Sequence, residues 1–350
     1  MNLLDKLAPL AGLAIGSVPF TDPAEALDCL AGLDIPAYPQ MVKVSFYEDM
    51  IYGALDGLPF IKVLEAAKKV IVPKEGLDEN LALFYENFYK NDFSFLALKG
   101  RSALGLQAFL KRAREDLTFG QVFLKAQVVG PLTLAQSVRL EDGTSALDDP
   151  SILEALSFGL GGKAAYLAAQ IRAAGRQPVV FIDEPGLTGY GSAFSTLSAE
   201  TVLKSLGTAA QTARSQGPVL LGCHVCGNTD WGLLSRAGLD ILNFDAFNFL
   251  ESFCLYPREL KTFLDKGGLI AWGLVPTEDY TNDLTAGFLL DRLAAGISNL
   301  EKCGLDRKLL SLRSLFSSSC GLGQLAPDKA RGILKLVEDV SGLAKQRRTV

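Results

Sequence analysis

The feature that most restricts how this chain can fold is a repeat. Short apolar runs, each ending in a polar or glycine-rich tail, recur between segments of helical spacing. Eight runs can be read: residues 13–20 (LAIGSVPF), 35–40 (IPAYPQ), 122–131 (VFLKAQVVGP), 178–186 (PVVFIDEPG), 218–227 (PVLLGCHVCG), 239–247 (LDILNFDAF), 269–277 (LIAWGLVPT) and 309–321 (LLSLRSLFSSSCG). Apolar runs of this length bounded by turn residues read as buried strands. The segments between them carry helix signals. Asp22 followed by Pro23 is an N-cap with proline at the first helical position, and Ser198 and Gly217 bracket another helix. Alternating strands and helices predict a parallel α/β sheet, and eight repeats predict one (β/α)8 TIM barrel spanning residues 1–350 as a single domain. The stretch 41–121 is too long for a simple crossover, so extra helices are expected between strands 2 and 3. A doubly wound open sheet is the alternative, but IGSVPF is not the glycine fingerprint that fold carries after its first strand.

The composition allows such a core: 49% of the 350 residues are hydrophobic and 21% are charged, which argues against disorder. The 34 basic residues are outnumbered by 39 acidic ones, so the clustered basic excess of a nucleic-acid binder is missing. No apolar run reaches membrane-spanning length. The six cysteines are scattered through the chain, which argues for a reducing compartment and against a disulfide framework. The N-terminal stretch Met1–Phe20 reads as the start of structured sequence, not a secretory leader, so a cytoplasmic location is expected. GLGGKA (159–164) superficially suggests a phosphate loop, but it lacks the required spacing and sits in a helical pattern.

The chemistry concentrates at the strand ends, where barrels of this kind build their sites. His224, the single histidine, stands between Cys223 and Cys226. Strand side chains alternate, so His224 and Cys226 share a face while Cys223 points into the packing on the other side. The next strand ends with Asn243 and Asp245 on one face, and the last ends at Cys320. His224, Cys226, Cys320 and Asp245 together make an N/S/O donor set of the type zinc favours. Zinc with two thiolates and an imidazole suits the holding of a substrate thiol as thiolate, ready to attack a methyl group. That displacement needs alignment and dryness more than a general base.

The motifs IGSVPFTD, FIDEPGL, HVCGNTD, LNFDAF, WGLVPT and SCGLG run in the order seen in the catalytic barrel of cobalamin-independent methionine synthase, and the chain resembles a short, single-barrel member of that family. The wider superfamily holds uroporphyrinogen decarboxylase and the zinc corrinoid:coenzyme M methyltransferases, whose wording HVCGNT and VVGPLTLA resemble. The resemblance implies that His224, Cys226 and Cys320 bind Zn2+, with Asp245 where the family has a ligating glutamate. It implies that Ile15 and Ser17 hold the homocysteine carboxylate and backbone, and that Asp183 holds the amino group. Gln127, Tyr190 and Trp272 are further candidates for the lining. Two family glutamates are replaced, by Gly189 and by Phe46, although Glu48 and Asp49 lie close to the latter. The implied activity is zinc-dependent S-methyl transfer to a small-molecule thiol, with homocysteine preferred. The expected donor is a methylated corrinoid, carried on a partner protein, in preference to methyl-folate. The alternatives are another thiol acceptor such as coenzyme M, or a non-catalytic zinc barrel that binds a corrinoid protein. No nucleic-acid or membrane partner is expected.

Overall fold

A computed structural model describes residues 3–120, 122–191 and 197–350. Met1 and Asn2, which begin the N-terminal stretch discussed above, lie outside the described residues, as do Gln121 and 192–196. The strands are β1 (Ala11–Gly12), β2 (Lys62–Leu64), β3 (Lys69–Val72), β4 (Phe123–Val129), β5 (Arg139–Leu140), β6 (Gln177–Asp183), β7 (Leu220–Val225), β8 (Ile241–Phe244), β9 (Leu269–Val275) and β10 (Ser314–Ser318). Seven of them form one parallel sheet in the order β1-β10-β9-β8-β7-β6-β4. Twelve α-helices, among the described residues, accompany the strands. The architecture is that of a curled α/β sheet consistent with a TIM-like barrel.

The expected second strand is where sequence and structure part. Residues 35–40 form no strand; they touch the sheet only at single bridges, Leu13 with Ile35, Ser17 with Gln40 and Ala37 with Lys125. Pro36 and Pro39 explain this, because proline has no N–H to give to a ladder. The N–H groups that remain are used: Ile35 donates to the Gly12 carbonyl and Tyr38 to the Lys125 carbonyl. The segment thus touches both edge strands of the sheet, but through isolated bonds. The first strand is also shorter than expected. Gly16 adopts φ +64°, and a Cβ there would come within 3.0 Å of the Gly321 Cα, so the backbone turns away where the two loops meet.

The insertion between residues 41 and 121 does contain helices, Leu77–Tyr89 and Leu104–Glu115. It also supplies β2 and β3, which join β5 in a separate three-stranded sheet that the sequence pattern did not reveal. The run 309–321 splits into a helix, Arg307–Leu312, and β10. The helix Pro150–Ala173 starts where Asp149 accepts hydrogen bonds from the Ser151 and Ile152 N–H groups, with Pro150 at its first position. GLGGKA lies inside this helix, and Lys163 Nζ donates to the carbonyls of Asp56 and Leu96, so the lysine braces the insertion.

Alternation of side chains divides the core in two. One apolar cluster fills the space between sheet and helices. The other gathers Phe123, Val179, Phe181, Leu220, Ile241, Leu269 and Leu315, which project from the concave face of the sheet. On every strand the residues two and four positions further along share that face. The concave face therefore carries Lys125 and Gln127 on β4, Asp183 on β6, Gly222 and His224 on β7 and Asn243 on β8. No helix among the described residues is long and apolar enough to cross a membrane.

Candidate metal and thiol site

The site is assembled on the ends of these strands. Asp183, His224 and Asn243 are neighbours in register across β6, β7 and β8. Gly222, two residues before His224, leaves room for the Phe181 ring, since a Cβ there would lie 2.3 Å from it. Cys223 points to the opposite face and is buried in the sheet–helix core.

His224 is oriented by a neighbour that the sequence pattern placed on the same face without assigning it a task. Its Nδ1 lies 2.5 Å from Asn243 Oδ1. Asn243 is fully buried, and its Nδ2 donates to the Ala271 carbonyl at 2.7 Å and to Ser317 Oγ at 2.9 Å. Because the amide nitrogen is committed as donor, the oxygen must accept, so the imidazole carries its proton on Nδ1 and leaves Nε2 for a ligand. Nε2 lies 3.2 Å from Cys226 Sγ, and that sulfur lies 3.4 Å from Cys320 Sγ. The three donor atoms all lie within 4.8 Å of one another. Tetrahedral zinc with ordinary Zn–N and Zn–S bonds separates its ligands by about 3.3–3.8 Å, so this donor set fits the ion both in spacing and in chemical type.

The charges agree with that reading. The contact with Cys226, and then the nearby His224, pull the Cys320 thiol down to about 4 against the opposing effect of burial. The same contact, together with burial, pushes Cys226 up. The close contact between the two sulfurs favours the charged form at Cys320 and the protonated form at Cys226. Burial works against a charged His224, but the neighbouring Cys320 outweighs it and raises the imidazole. The pocket already favours the thiolate that a metal needs.

These groups form part of the wall of a cavity of about 210 Å³, which Ile15, Ser17 and Asp183 also line. Asp183 is 5% exposed and its Oδ1 has no hydrogen-bond partner. Burial raises its carboxyl, with Lys125 the principal opposing charge. A buried, unpaired carboxylate oxygen is costly unless something in the cavity meets it.

Of the seven residues expected to hold metal or amino acid, six thus meet at one cavity, and Asp245 does not join the converging donors. Its carboxylate caps the helix Ala246–Phe253, accepting from the Asn248 N–H at 2.9 Å and from Asn248 Nδ2 at 2.8 Å. Trp272 is not a lining residue either. It faces the sheet–helix core, packs on Phe244 and Phe253, and donates Nε1 to Ser314 Oγ. Tyr190 packs against that same core, and Gln127 lies below the wall, bonded to Gln40. Glu184, next to Asp183, points away and receives the Leu132 and Thr133 N–H groups and the Thr133 hydroxyl. This explains why IDEPG and GPLT occur in one chain: the glutamate of the first caps the short helix that begins in the second. Asp49 reaches the cavity, whereas Glu48 is taken up by the N–H groups of Met41, Leu104 and Gly105.

No protein-family model matches the chain, and no curated protein matches it in sequence. Among solved structures, a B12-independent methionine synthase from Shewanella sp. W3-18-1, in complex with selenomethionine, superposes with a TM-score of 0.59 at 14% identity, covering 97% of this chain and 99% of that one. The GH26 endo-β-1,4-mannanase catalytic domain of Bacillus sp. JAMB-750 gives 0.41 at 14% identity, covering 69% of this chain and 72% of the other. The first likeness is one of fold over the full length of both chains.

Proposed function

We propose that the chain is a zinc-dependent S-methyltransferase on a (β/α)8 barrel, which methylates a thiol, homocysteine in the first instance, to give methionine. The observation that carries the reading is the convergence of His224 Nε2, Cys226 Sγ and Cys320 Sγ on the wall of a cavity that also holds the unpaired Asp183 carboxylate oxygen. The full-length fold likeness to a methionine synthase supports it.

The chain's own residues would do the following. His224, Cys226 and Cys320 would hold the ion, with Asn243 fixing the imidazole. Zinc held there would keep the substrate thiol deprotonated at neutral pH. Asp183 Oδ1 would accept from the substrate ammonium group, and Ser17 and the backbone at Ile15 would steady the rest of the amino acid. Ile15, Met50 and Pro185 would exclude water from the reacting sulfur. The single histidine is committed to Asn243 and the thiols, so no imidazole is left to serve as general base. A direct displacement at a methyl carbon requires none. A methylated corrinoid is the proposed donor, and the six free cysteines suit the proposed cytoplasmic location.

The test is direct. Zinc-supplemented protein given methylcobalamin and homocysteine is expected to form methionine, and Cys226→Ser and Cys320→Ser to lose both the activity and the zinc. Activity only with methyl-folate would replace the donor. Activity only with coenzyme M would replace the acceptor. Zinc binding without any methyl transfer would overturn the enzyme reading in favour of a binding protein.

A further inference from the structure

The polar interior beneath the cavity has a fixed hydrogen-bond direction. Lys125 is fully buried on β4, and an ammonium group can only donate. Its Nζ lies 3.2 Å from Gln127 Oε1, so that oxygen accepts. At the other end of the same amide, Gln127 Nε2 lies 3.1 Å from the Tyr38 carbonyl, which can only accept. The two ends agree, and Gln127 cannot be turned over without losing both bonds. Its Nε2 also lies 3.2 Å from Gln40 Oε1. Gln40 therefore has its oxygen committed and must turn its NH2 group elsewhere. Gln40 is 7% exposed, and it lies on the cavity wall beside Ser17, to which its backbone is bridged. Gln40 lines the cavity, so its NH2 group is placed to donate there. Asp183 Oδ1, on the same wall, has no partner. The cavity thus offers an unpaired acceptor from Asp183 and, from Gln40, an amide whose oxygen is already taken, a pattern that complements a molecule with both an ammonium and a carboxylate group.

We propose that Gln40 donates its amide hydrogen to the carboxylate of the thiol substrate and so sets the preference for an amino-acid thiol, while Lys125 is a positioning residue that imposes this orientation through Gln127. The assignment rests on the methyl-transfer reading above and adds to it a residue that discriminates among thiols.

Binding calorimetry on the zinc-loaded protein tests it with two ligands, homocysteine and 3-aminopropane-1-thiol, which differ only in the carboxylate. Gln40→Glu keeps the acceptor that faces Gln127 and removes the donor. Gln40→Met has similar size and removes both. A hydrogen bond to a charged group corresponds to a loss of about tenfold or more in affinity when it is deleted. Both variants are expected to weaken homocysteine by that factor; Gln40→Met should leave 3-aminopropane-1-thiol within about twofold of wild type, and Gln40→Glu, which adds a negative charge, should not weaken it. Lys125→Met removes one of the two bonds that fix the Gln127 amide and leaves the one to the Tyr38 carbonyl, so it should weaken homocysteine by less than the Gln40 variants and spare the amine; a merely structural role would weaken both ligands together. Equal losses for the two thiols, or unchanged homocysteine binding in both Gln40 variants, would overturn the assignment while the methyl-transfer reading stands. Wild-type protein that binds neither thiol overturns that reading and this one with it.

Discussion

Replacing Asn243 by leucine separates the structural and the metal-binding parts of the site. The side chain is fully buried and links three partners: the His224 Nδ1, the Ala271 carbonyl and Ser317 Oγ. Leucine has the same branched heavy-atom skeleton and none of these bonds. Ser317 keeps its own donation to the Ser318 carbonyl, so the main losses fall on the Ala271 carbonyl and the imidazole N–H. An unsatisfied buried polar group costs about 1–3 kcal/mol, which puts the metal-free loss at about 2–6 kcal/mol. That is a large share of the 5–15 kcal/mol typical of a folded domain. A freed imidazole also binds metal less well. Loss of such an orienting partner costs about 10–100-fold in affinity, or about 1.4–2.7 kcal/mol of further stabilisation when the ion is saturating. Urea unfolding with and without zinc, joined to a chelator competition for zinc affinity, reads both quantities. A metal-free loss below about 1 kcal/mol would refute the hydrogen-bond argument. Unchanged zinc affinity would refute the claim that Asn243 orients the ligand.

Other expectations follow from the same contacts. Gly222→Ala drives a methyl group to 2.3 Å from the Phe181 ring, and should lower stability by about 1–3 kcal/mol in denaturant unfolding; a neutral result would mean that the ring moves freely. Burial lifts the Glu184 carboxyl from 4.5 to about 7, so between those values the unfolded chain has released a proton that the folded chain keeps. Stability should therefore fall by roughly 3 kcal/mol as pH rises through that window, and Glu184→Gln should flatten the slope; an equal slope in the variant would assign it to another group. Lys163→Met strands the Asp56 and Leu96 carbonyls and should destabilise the insertion by about 2–4 kcal/mol, visible as early loss of amide protection in residues 93–102.

Much of this was legible from periodicity. Period-two alternation on β7 separated His224 from Cys223, and the strand-end positions of Cys226 and Cys320 brought them to one mouth. What escaped it has physical causes. The run 35–40 looked like a strand because it is apolar, yet Pro36 and Pro39 leave too few N–H groups for a ladder. The small sheet joins a short local hairpin, β2 with β3, to β5 about seventy residues further along the chain, a pairing that local pattern does not encode. Asp245 is a good donor by type, but an aspartate just before a helix also makes a good N-cap, and here the helix takes it. Asn243 carried a usable signal, since its place on the histidine's face one strand over is where an orienting partner would stand. Lys125 and Gln127 stand as two polar side chains at alternate positions of an otherwise apolar strand, a placement that folding tolerates only when the groups find partners.

The metal site is the centre of the proposed function, and a zinc-edge X-ray absorption spectrum recorded before and after addition of homocysteine tests it most directly. Zinc should first show two sulfurs and one imidazole nitrogen contributed by Cys226, Cys320 and His224, and one further sulfur should enter the shell with homocysteine. A protein that retains no zinc, or a shell that homocysteine leaves unaltered, would contradict it.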